Sequence, residues 1–167
     1  HRMLPLVQHP AARLDSVETY PFTVLSDYGI AGIMSGHLNV PAYDPSGRPA
    51  SLSPLILNRI LRERMGFRGL IITDALNMKG VAASFNSPGV EALIAGNDMI
   101  EFVVNLPRTI AAIEKAVSSG RLSLREIDEK CARVLTLKKW LGLHRYQPAN
   151  LSAVDSLLKY PEGAVLR

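Results

Sequence analysis

The sequence is poor in cysteine and in aromatic residues, and it contains no long apolar run. Its one cysteine, Cys131, excludes a disulfide bond within the chain, and its place on an apolar helical stripe predicts a small core residue. No segment approaches the roughly 20 apolar residues of a membrane-spanning helix, and the first residues lack the pattern of a signal peptide. Aromatic residues form 6% of the sequence and the basic residues are dispersed, which argues against a nucleic-acid partner. No cluster of Cys and His suggests a metal ion, and we expect no cofactor.

What remains is the composition of a folded domain. The chain has 167 residues, of which 47% are hydrophobic and 20% are charged, so it can bury a sizeable core. It opens with His1 rather than with an initiator methionine, and we therefore expect a piece of a longer protein or a processed product. The cellular location stays open between the bacterial periplasm and the cytoplasm, because any targeting signal would lie upstream.

Apolar runs and helix signals alternate along the chain. The runs at 31–35, 69–73 and 99–104 show no polar alternation, which predicts parallel strands buried on both faces. Helices are predicted at 20–28, 53–66 and 106–119, and a longer one begins after Ser123, which forms a capping box with Glu126. This order predicts an α/β fold with a parallel sheet. The apolar stripe of the last helix should dock on the preceding unit; it consists of Ile127, Cys131, Val134 and Leu135.

We place one domain at 1–143. After Gly142 the helical pattern fades, and 144–167 is interpreted as a linker or as the lead-in to a further domain.

Two polar residues close the predicted strands. His37 follows the first strand and Asp74 follows the second, and ligands of parallel α/β proteins gather at these carboxyl ends. A carboxylate in this position is costly unless it is hydrogen-bonded or used, so Asp74 is either a catalytic group or a cap for the next helix. Asp98 precedes its strand, which predicts a structural hydrogen-bonding role at the opposite end.

A longer pattern surrounds Asp74. Residues 60–77 read Ile-Leu-Arg-Glu-Arg-Met-Gly-Phe-Arg-Gly-Leu-Ile-Ile-Thr-Asp-Ala-Leu-Asn, and this segment resembles the signature of glycoside hydrolase family 3. The resemblance continues in Gly32-Ile-Met-Ser-Gly-His37, in Pro49-Ala-Ser-Leu-Ser-Pro54 and in Ala95-Gly-Asn-Asp98. It implies that the chain is the C-terminal portion of a (β/α)₈ barrel, about strands six to eight with their helices, and that Asp74 is the nucleophile of a retaining double displacement.

The chain is most similar to the β-N-acetylhexosaminidase type of this family. There the acid/base is a His on a loop that continues to Leu-Pro, with an Asp two residues earlier, and the opening His1-Arg-Met-Leu-Pro5 puts His1 at that position with the Asp outside the chain. The resemblance implies that His37 contacts the sugar or the nucleophile, the alternative being a satisfied buried histidine. Met78 is expected to line the pocket floor, with core packing as the alternative. The implied substrates are saccharides with β-linked N-acetylglucosamine, such as peptidoglycan fragments.

Several alternatives stay open. A β-glucosidase or a glycoside phosphorylase of the same family is compatible with these residues, and so is another parallel α/β enzyme in which Asp74 is only a proton carrier. From a different class, the chain could be a non-catalytic carbohydrate-binding or assembly module. The family's Lys-His-Phe-Pro-Gly-His-Gly segment is missing, so we expect the isolated chain to be inactive and to self-associate through exposed barrel strands.

Overall fold

The computed structural model describes residues 4–83, 85–145, 148 and 150–153. Three parallel strands form one sheet: β1 (Gly32–Ser35), β2 (Leu70–Ala75) and β3 (Met99–Glu101), in the order β1-β2-β3. Ile33 pairs with Ile71, and Ile72 pairs with Met99. The α/β fold and the parallel sheet predicted from the sequence are confirmed.

Helices precede and follow each strand. A wide π-type helix, Leu55–Arg64, leads into β2, and a second π-type segment, Leu14–Glu18, lies near the start of the chain. The α-helices are α1 (Ala11–Arg13), α2 (Tyr20–Asp27), α3 (Lys79–Ala82), α4 (Pro88–Ala95), α5 (Leu106–Ser118) and α6 (Leu124–Trp140). Among the described residues, we find no helix with the length and apolarity needed to span a bilayer.

The chain divides into two compact units, His1–Leu137 and Lys138–Arg167. The first unit holds the sheet. The second contains the last residues of α6 and a short 3₁₀ turn, Leu151–Ala153.

The core lies between the sheet and its helices. Leu57, Leu61 and Met65, which recur at four-residue spacing in the sequence, pack against Ile33 and Ile71. A second cluster joins the end of β2 to α3 and α4; it contains Leu52, Leu76, Val81 and Ala92. A third joins α4 to α5; it contains Val90, Leu93, Ala116 and Leu122. All three clusters lie on the helix-covered side, so the sheet is packed on one face.

The structure corrects three expectations from the sequence. Met34 in β1 is 60% exposed, so β1 is not buried on both faces, because the helices cover only one side of the sheet. The third strand ends at Glu101 rather than Val104, because Phe102 adopts a left-handed backbone with φ 48° that cannot continue a strand.

The third correction concerns the apolar stripe of α6, which was expected to dock on the preceding unit. Ile127 packs against the α4–α5 cluster as expected, but Cys131 is exposed and Leu135 is 63% exposed. Only the N-terminal part of this stripe therefore packs against the core. Its capping box is confirmed, since the Glu126 carboxylate accepts from the Ser123 amide at 2.8 Å and Ser123 Oγ accepts from the Glu126 amide at 3.1 Å.

Candidate active site

Asp74 lies where the pairing of β2 with β3 becomes irregular. Ile72 pairs with Met99, and Ala75 pairs with Glu101, so β2 has one residue more than β3 over this stretch and forms a bulge. The side chains on either side of the bulge, Thr73 and Leu76, are both buried. A bulge redirects a side chain at a strand end. Here the extra residue belongs to the pair Asp74–Ala75, between two residues that are anchored in the interior.

The Asp74 carboxylate is half-buried and opens to a cavity. Its Oδ1 accepts a hydrogen bond from the Ala75 amide at 2.7 Å. The cavity has a volume of about 370 Å³. Its lining includes Leu4, Pro5, Gly36, His37, Leu38, Asp74, Met78, Gly80 and Val81. Three of the four predicted site residues, His37, Asp74 and Met78, therefore share one cavity.

The fourth predicted residue, His1, lies outside the described residues. Leu4 and Pro5, which follow it in the chain, line the cavity. Two backbone hydrogen bonds fix the segment 5–7 to Asn39. The Asn39 amide donates to the Pro5 carbonyl at 2.9 Å, and the Val7 amide donates to the Asn39 carbonyl at 2.8 Å.

His37 is buried, and both of its ring nitrogens contact protein groups. Nε2 lies 3.1 Å from the Ala75 carbonyl oxygen, which can only accept, so Nε2 carries a proton and donates. Nδ1 lies 2.6 Å from Ser51 Oγ, and in the neutral ring it accepts from that hydroxyl. His37 thus connects the end of β1 to the bulge and uses its polar atoms within the protein.

A buried polar network continues from Ser51, the partner of His37, and sequence reasoning missed most of it. Asn97 donates from Nδ2 to the Ser51 carbonyl at 2.7 Å and to the Ala92 carbonyl at 2.8 Å. Ser35 Oγ donates to Asn97 Oδ1 at 2.7 Å. The available signal was the placement of polar Ser35 and Asn97 next to apolar strands, because a buried polar group needs partners.

Asp98 forms a separate network at the amino end of the sheet. Its side chain is fully buried, and Arg62 donates to Oδ2 at 2.5 Å while Arg133 donates to Oδ1 at 2.8 Å. The Ile71 amide adds a hydrogen bond to Oδ2 at 2.9 Å. Burial lowers the pKa of the Arg62 guanidinium, and the attraction of Asp98 opposes that effect. The structural role predicted for Asp98 is confirmed.

A larger cavity of about 550 Å³ lies beside α4 and α5. Its lining includes Phe85, Val103 and Thr109, and among the described residues it shares none with the Asp74 cavity. Within the described residues, no group of three or more His, Cys, Asp and Glu is arranged to hold a metal ion.

Comparisons with known proteins agree on one family. The model described as "Glycosyl hydrolase family 3 N terminal domain" matches residues 1–137. A β-N-acetylglucosaminidase/β-glucosidase of Cellulomonas fimi is 34% identical over 128 residues, covering 70% of this chain and 23% of that protein. A β-hexosaminidase of Methylococcus capsulatus is 35% identical over 138 residues, covering 80% of this chain and 40% of that protein.

Solved structures give the same result. A glycoside hydrolase family 3 β-N-acetylglucosaminidase from Paenibacillus sp. superposes with a TM-score of 0.90 at 32% identity, over 99% of this chain and 32% of that one. A β-glucoside phosphorylase superposes with a TM-score of 0.89 at 26% identity, over 98% of this chain and 32% of that one. The chain thus spans between 23% and 40% of the length of these relatives. With the family model matching residues 1–137, the chain belongs to glycoside hydrolase family 3.

Proposed function

We propose that this chain forms part of a retaining β-N-acetylglucosaminidase in which Asp74 is the nucleophile. The observation that carries the proposal is the Asp74 carboxylate, held at a bulge of β2 and open to a cavity in a chain of this family. A rigid strand fixes the carboxylate, and the Ala75 amide donates a hydrogen bond to its Oδ1. Both properties suit attack on an anomeric carbon.

We further propose that the three strands are the sixth, seventh and eighth of a (β/α)₈ barrel. Their parallel order supports this, as does a sheet with helices on one face only. In such a barrel, active sites lie at the carboxyl ends of the strands, where Asp74 and the 370 Å³ cavity lie. The remaining strands would come from elsewhere in a longer polypeptide, in line with the share of the relatives that the chain spans.

The reaction would proceed in two displacements. The Asp74 carboxylate attacks the anomeric carbon while the bond to the leaving oxygen breaks and that oxygen takes a proton from the acid/base. Water then attacks the glycosyl-enzyme, gives its proton to the same base and releases Asp74, so that the configuration is retained.

We assign the acid/base to His1. Leu4 and Pro5 support this assignment, because they line the Asp74 cavity three and four residues after His1. An imidazole with an ordinary pKa of about 6.5 can donate and accept a proton near neutral pH. The family resemblance implies that an Asp two residues before the His orients this ring.

His37 and Met78 support the site rather than react. His37 donates to the Ala75 carbonyl of the bulge, and it is one of the residues that line the cavity. Met78 adds apolar surface to that wall, suited to the apolar face of a sugar.

The proposed substrates are β-linked N-acetylglucosamine saccharides, among them peptidoglycan fragments. A second candidate is the turnover of β-glucosides by water or by phosphate. It is favoured by the similarity to a protein named for both β-N-acetylglucosaminidase and β-glucosidase activity and to a β-glucoside phosphorylase.

The test uses the protein expressed from its complete coding sequence. We expect it to release the phenol from an aryl N-acetyl-β-glucosaminide, and Asp74→Asn to lower kcat by at least about a thousandfold, because no nucleophile remains. Asp27→Asn, at the exposed end of α2, is the matched control and should retain activity. Parallel assays with an aryl β-glucoside, with and without phosphate, distinguish the second candidate function from the first.

Covalent labelling identifies the nucleophile directly. A 2-fluoro glycoside should leave a sugar adduct on the peptide that contains Asp74, and an adduct on any other residue would contradict the assignment. Stabilisation by sugar with no turnover of any of these substrates would instead favour a carbohydrate-binding module. The 167-residue chain by itself should be inactive, and turnover by it would contradict the proposal that further strands complete the site.

A further inference from the structure

The carboxyl end of β3 carries an acidic and an aromatic residue next to the bulge of β2. Glu101 pairs with Ala75, and the Leu76 amide donates to the Glu101 carbonyl at 3.0 Å. The Glu101 amide in turn donates to Thr73 Oγ1 at 3.0 Å. The backbone of Glu101 is therefore fixed to the same short stretch of β2 that positions Asp74.

The Glu101 side chain belongs to the face of the sheet that the helices leave open. Ile100 packs into the helix-side clusters, and successive strand residues point to opposite faces, so Glu101 points to the other side. Thr73 is likewise buried on the helix side, which leaves its neighbour Asp74 on the open side. None of the hydrogen bonds or ion pairs within the described residues involves the half-buried Glu101 carboxylate.

Phe102 follows directly and is held in an unfavourable state. It is 68% exposed, and its φ of 48° is the one positive value found at a non-glycine residue of the described chain. A bulky side chain rarely adopts this region, and strain of this kind is concentrated at ligand sites. Phe102 belongs to none of the three core clusters, so core packing does not account for it.

The two side chains together have the chemistry of a sugar-binding element. The flat face of a phenyl ring carries partial negative charge and attracts the C–H groups on the apolar face of a pyranose. A carboxylate accepts strong hydrogen bonds from two neighbouring hydroxyls. Adjacent strands lie about 4.8 Å apart, so this element is within one sugar ring of a substrate held at Asp74.

We propose that Glu101 and Phe102 bind the sugar whose anomeric carbon Asp74 attacks, with Phe102 stacking on the ring and Glu101 accepting from its hydroxyls. The inference rests on the proposed function for the identity of the ligand. It assigns to the end of β3 a role in sugar affinity and selectivity.

The experiment measures sugar affinity in the protein from the complete coding sequence, carrying Asp74→Asn so that turnover does not interfere. N-acetylglucosamine and glucose are the calorimetric probes. Phe102→Gly should weaken binding of the preferred sugar by about tenfold or more, while Phe102→Tyr keeps the ring and should retain affinity. Glu101→Gln should weaken binding and reduce the preference between the two sugars.

The melting temperature separates a binding role from a structural one. Phe102→Gly should raise it or leave it unchanged, because glycine relieves the positive φ, while the affinity falls. Tyr28→Ala and Glu114→Gln are the controls, since both residues are exposed and lie outside the sheet.

Unchanged affinity in both Phe102→Gly and Glu101→Gln would overturn the inference, as would an equal loss in the control variants. The proposed function fails in a different way. Turnover by the Asp74→Asn protein would contradict the nucleophile, whatever the two β3 variants do.

Discussion

At the scale of single residues, a buried histidine contacts the backbone directly after Asp74. His37 donates to the carbonyl of Ala75, the residue directly after Asp74, and receives a hydrogen bond from Ser51. Both partners are otherwise fixed, Ser51 by Asn97 and Ala75 by its place in β2. We therefore expect His37 to act as a positioning residue, because a carbonyl that lost this donor would allow the bulge to rearrange.

Replacing His37 tests this role. His37→Ala should lower the free energy of unfolding by about 2 kcal/mol, because the Ser51 hydroxyl and the Ala75 carbonyl lose their buried partner. In the protein from the complete coding sequence, kcat should fall about tenfold or more with a smaller change in KM, because the proposed nucleophile, Asp74, is displaced from the reacting carbon. Urea unfolding and steady-state kinetics measure the two effects.

The matched control is His9→Ala, because the His9 side chain is 49% exposed. Equal effects in the two variants would contradict the positioning role, and so would a KM increase for His37→Ala with unchanged kcat, which would indicate direct sugar contact.

At the scale of elements, α6 carries a buried lysine where its neighbours are exposed. Lys130 is 9% exposed, and within the described residues no hydrogen bond or ion pair involves its ammonium. Burial lowers the pKa of Lys130, the attraction of Asp98 opposes this, and the repulsion from Arg133 adds to it. The charged form of Lys130 is thus disfavoured in the folded protein.

The sign of the pH effect follows from that lowered pKa. Between the folded pKa and the unfolded value of about 10.4, the unfolded chain binds more protons, so stability rises with pH. Lys130→Met should remove this rise and increase the free energy of unfolding at neutral pH by about 1 kcal/mol. Thermal melts from pH 7 to pH 10 measure it, with the exposed Lys115→Met as control. A destabilised Lys130→Met protein would show that the ammonium is satisfied.

At the scale of the whole molecule, one carboxylate connects three elements. Asp98 binds Arg62 of the π-type helix, Arg133 of α6 and the Ile71 amide of β2. Because its side chain is fully buried, its loss would remove the carboxylate that Arg62 and Arg133 share. Asp98→Asn should lower the free energy of unfolding by about 3 kcal/mol. Chemical denaturation measures this, and Asp27→Asn, an exposed carboxylate, should be within about 0.5 kcal/mol of the parent.

The whole molecule also has exposed sheet edges and an open sheet face, from which we predict that the isolated chain associates with itself. β1 and β3 are the edges of the sheet, and the open face presents Met34 at 60% and Met99 at 36% exposure. Exposed strand edges and apolar faces favour contacts between copies. Light scattering should therefore give the 167-residue chain a mass above 18.2 kDa. The double variant Met34→Lys with Met99→Lys should lower that mass, whereas Tyr28→Lys, away from this face, should not; a monomeric parent chain would contradict the prediction.

The sequence by itself determined the parallel α/β order and the family, and it predicted a site near Asp74. Apolar runs without alternation, four-residue repeats and the capping box at Ser123 are local features, and each has a local physical cause. Tertiary structure alone decided which partners the polar residues have. For His37, the sequence left open a sugar contact or a satisfied buried histidine, and only the structure shows its contacts with Ser51 and Ala75.

Other features were equally invisible in the sequence, because they depend on contacts between distant segments. The bulge at Asp74 arises from the register of β2 against β3, and the left-handed Phe102 ends a strand that the apolar run alone would extend to Val104. Cys131 has the spacing of a core residue and is nevertheless exposed, since a helical stripe is buried only where another element covers it. Periodicity specifies which faces are apolar, whereas packing decides which of them are covered.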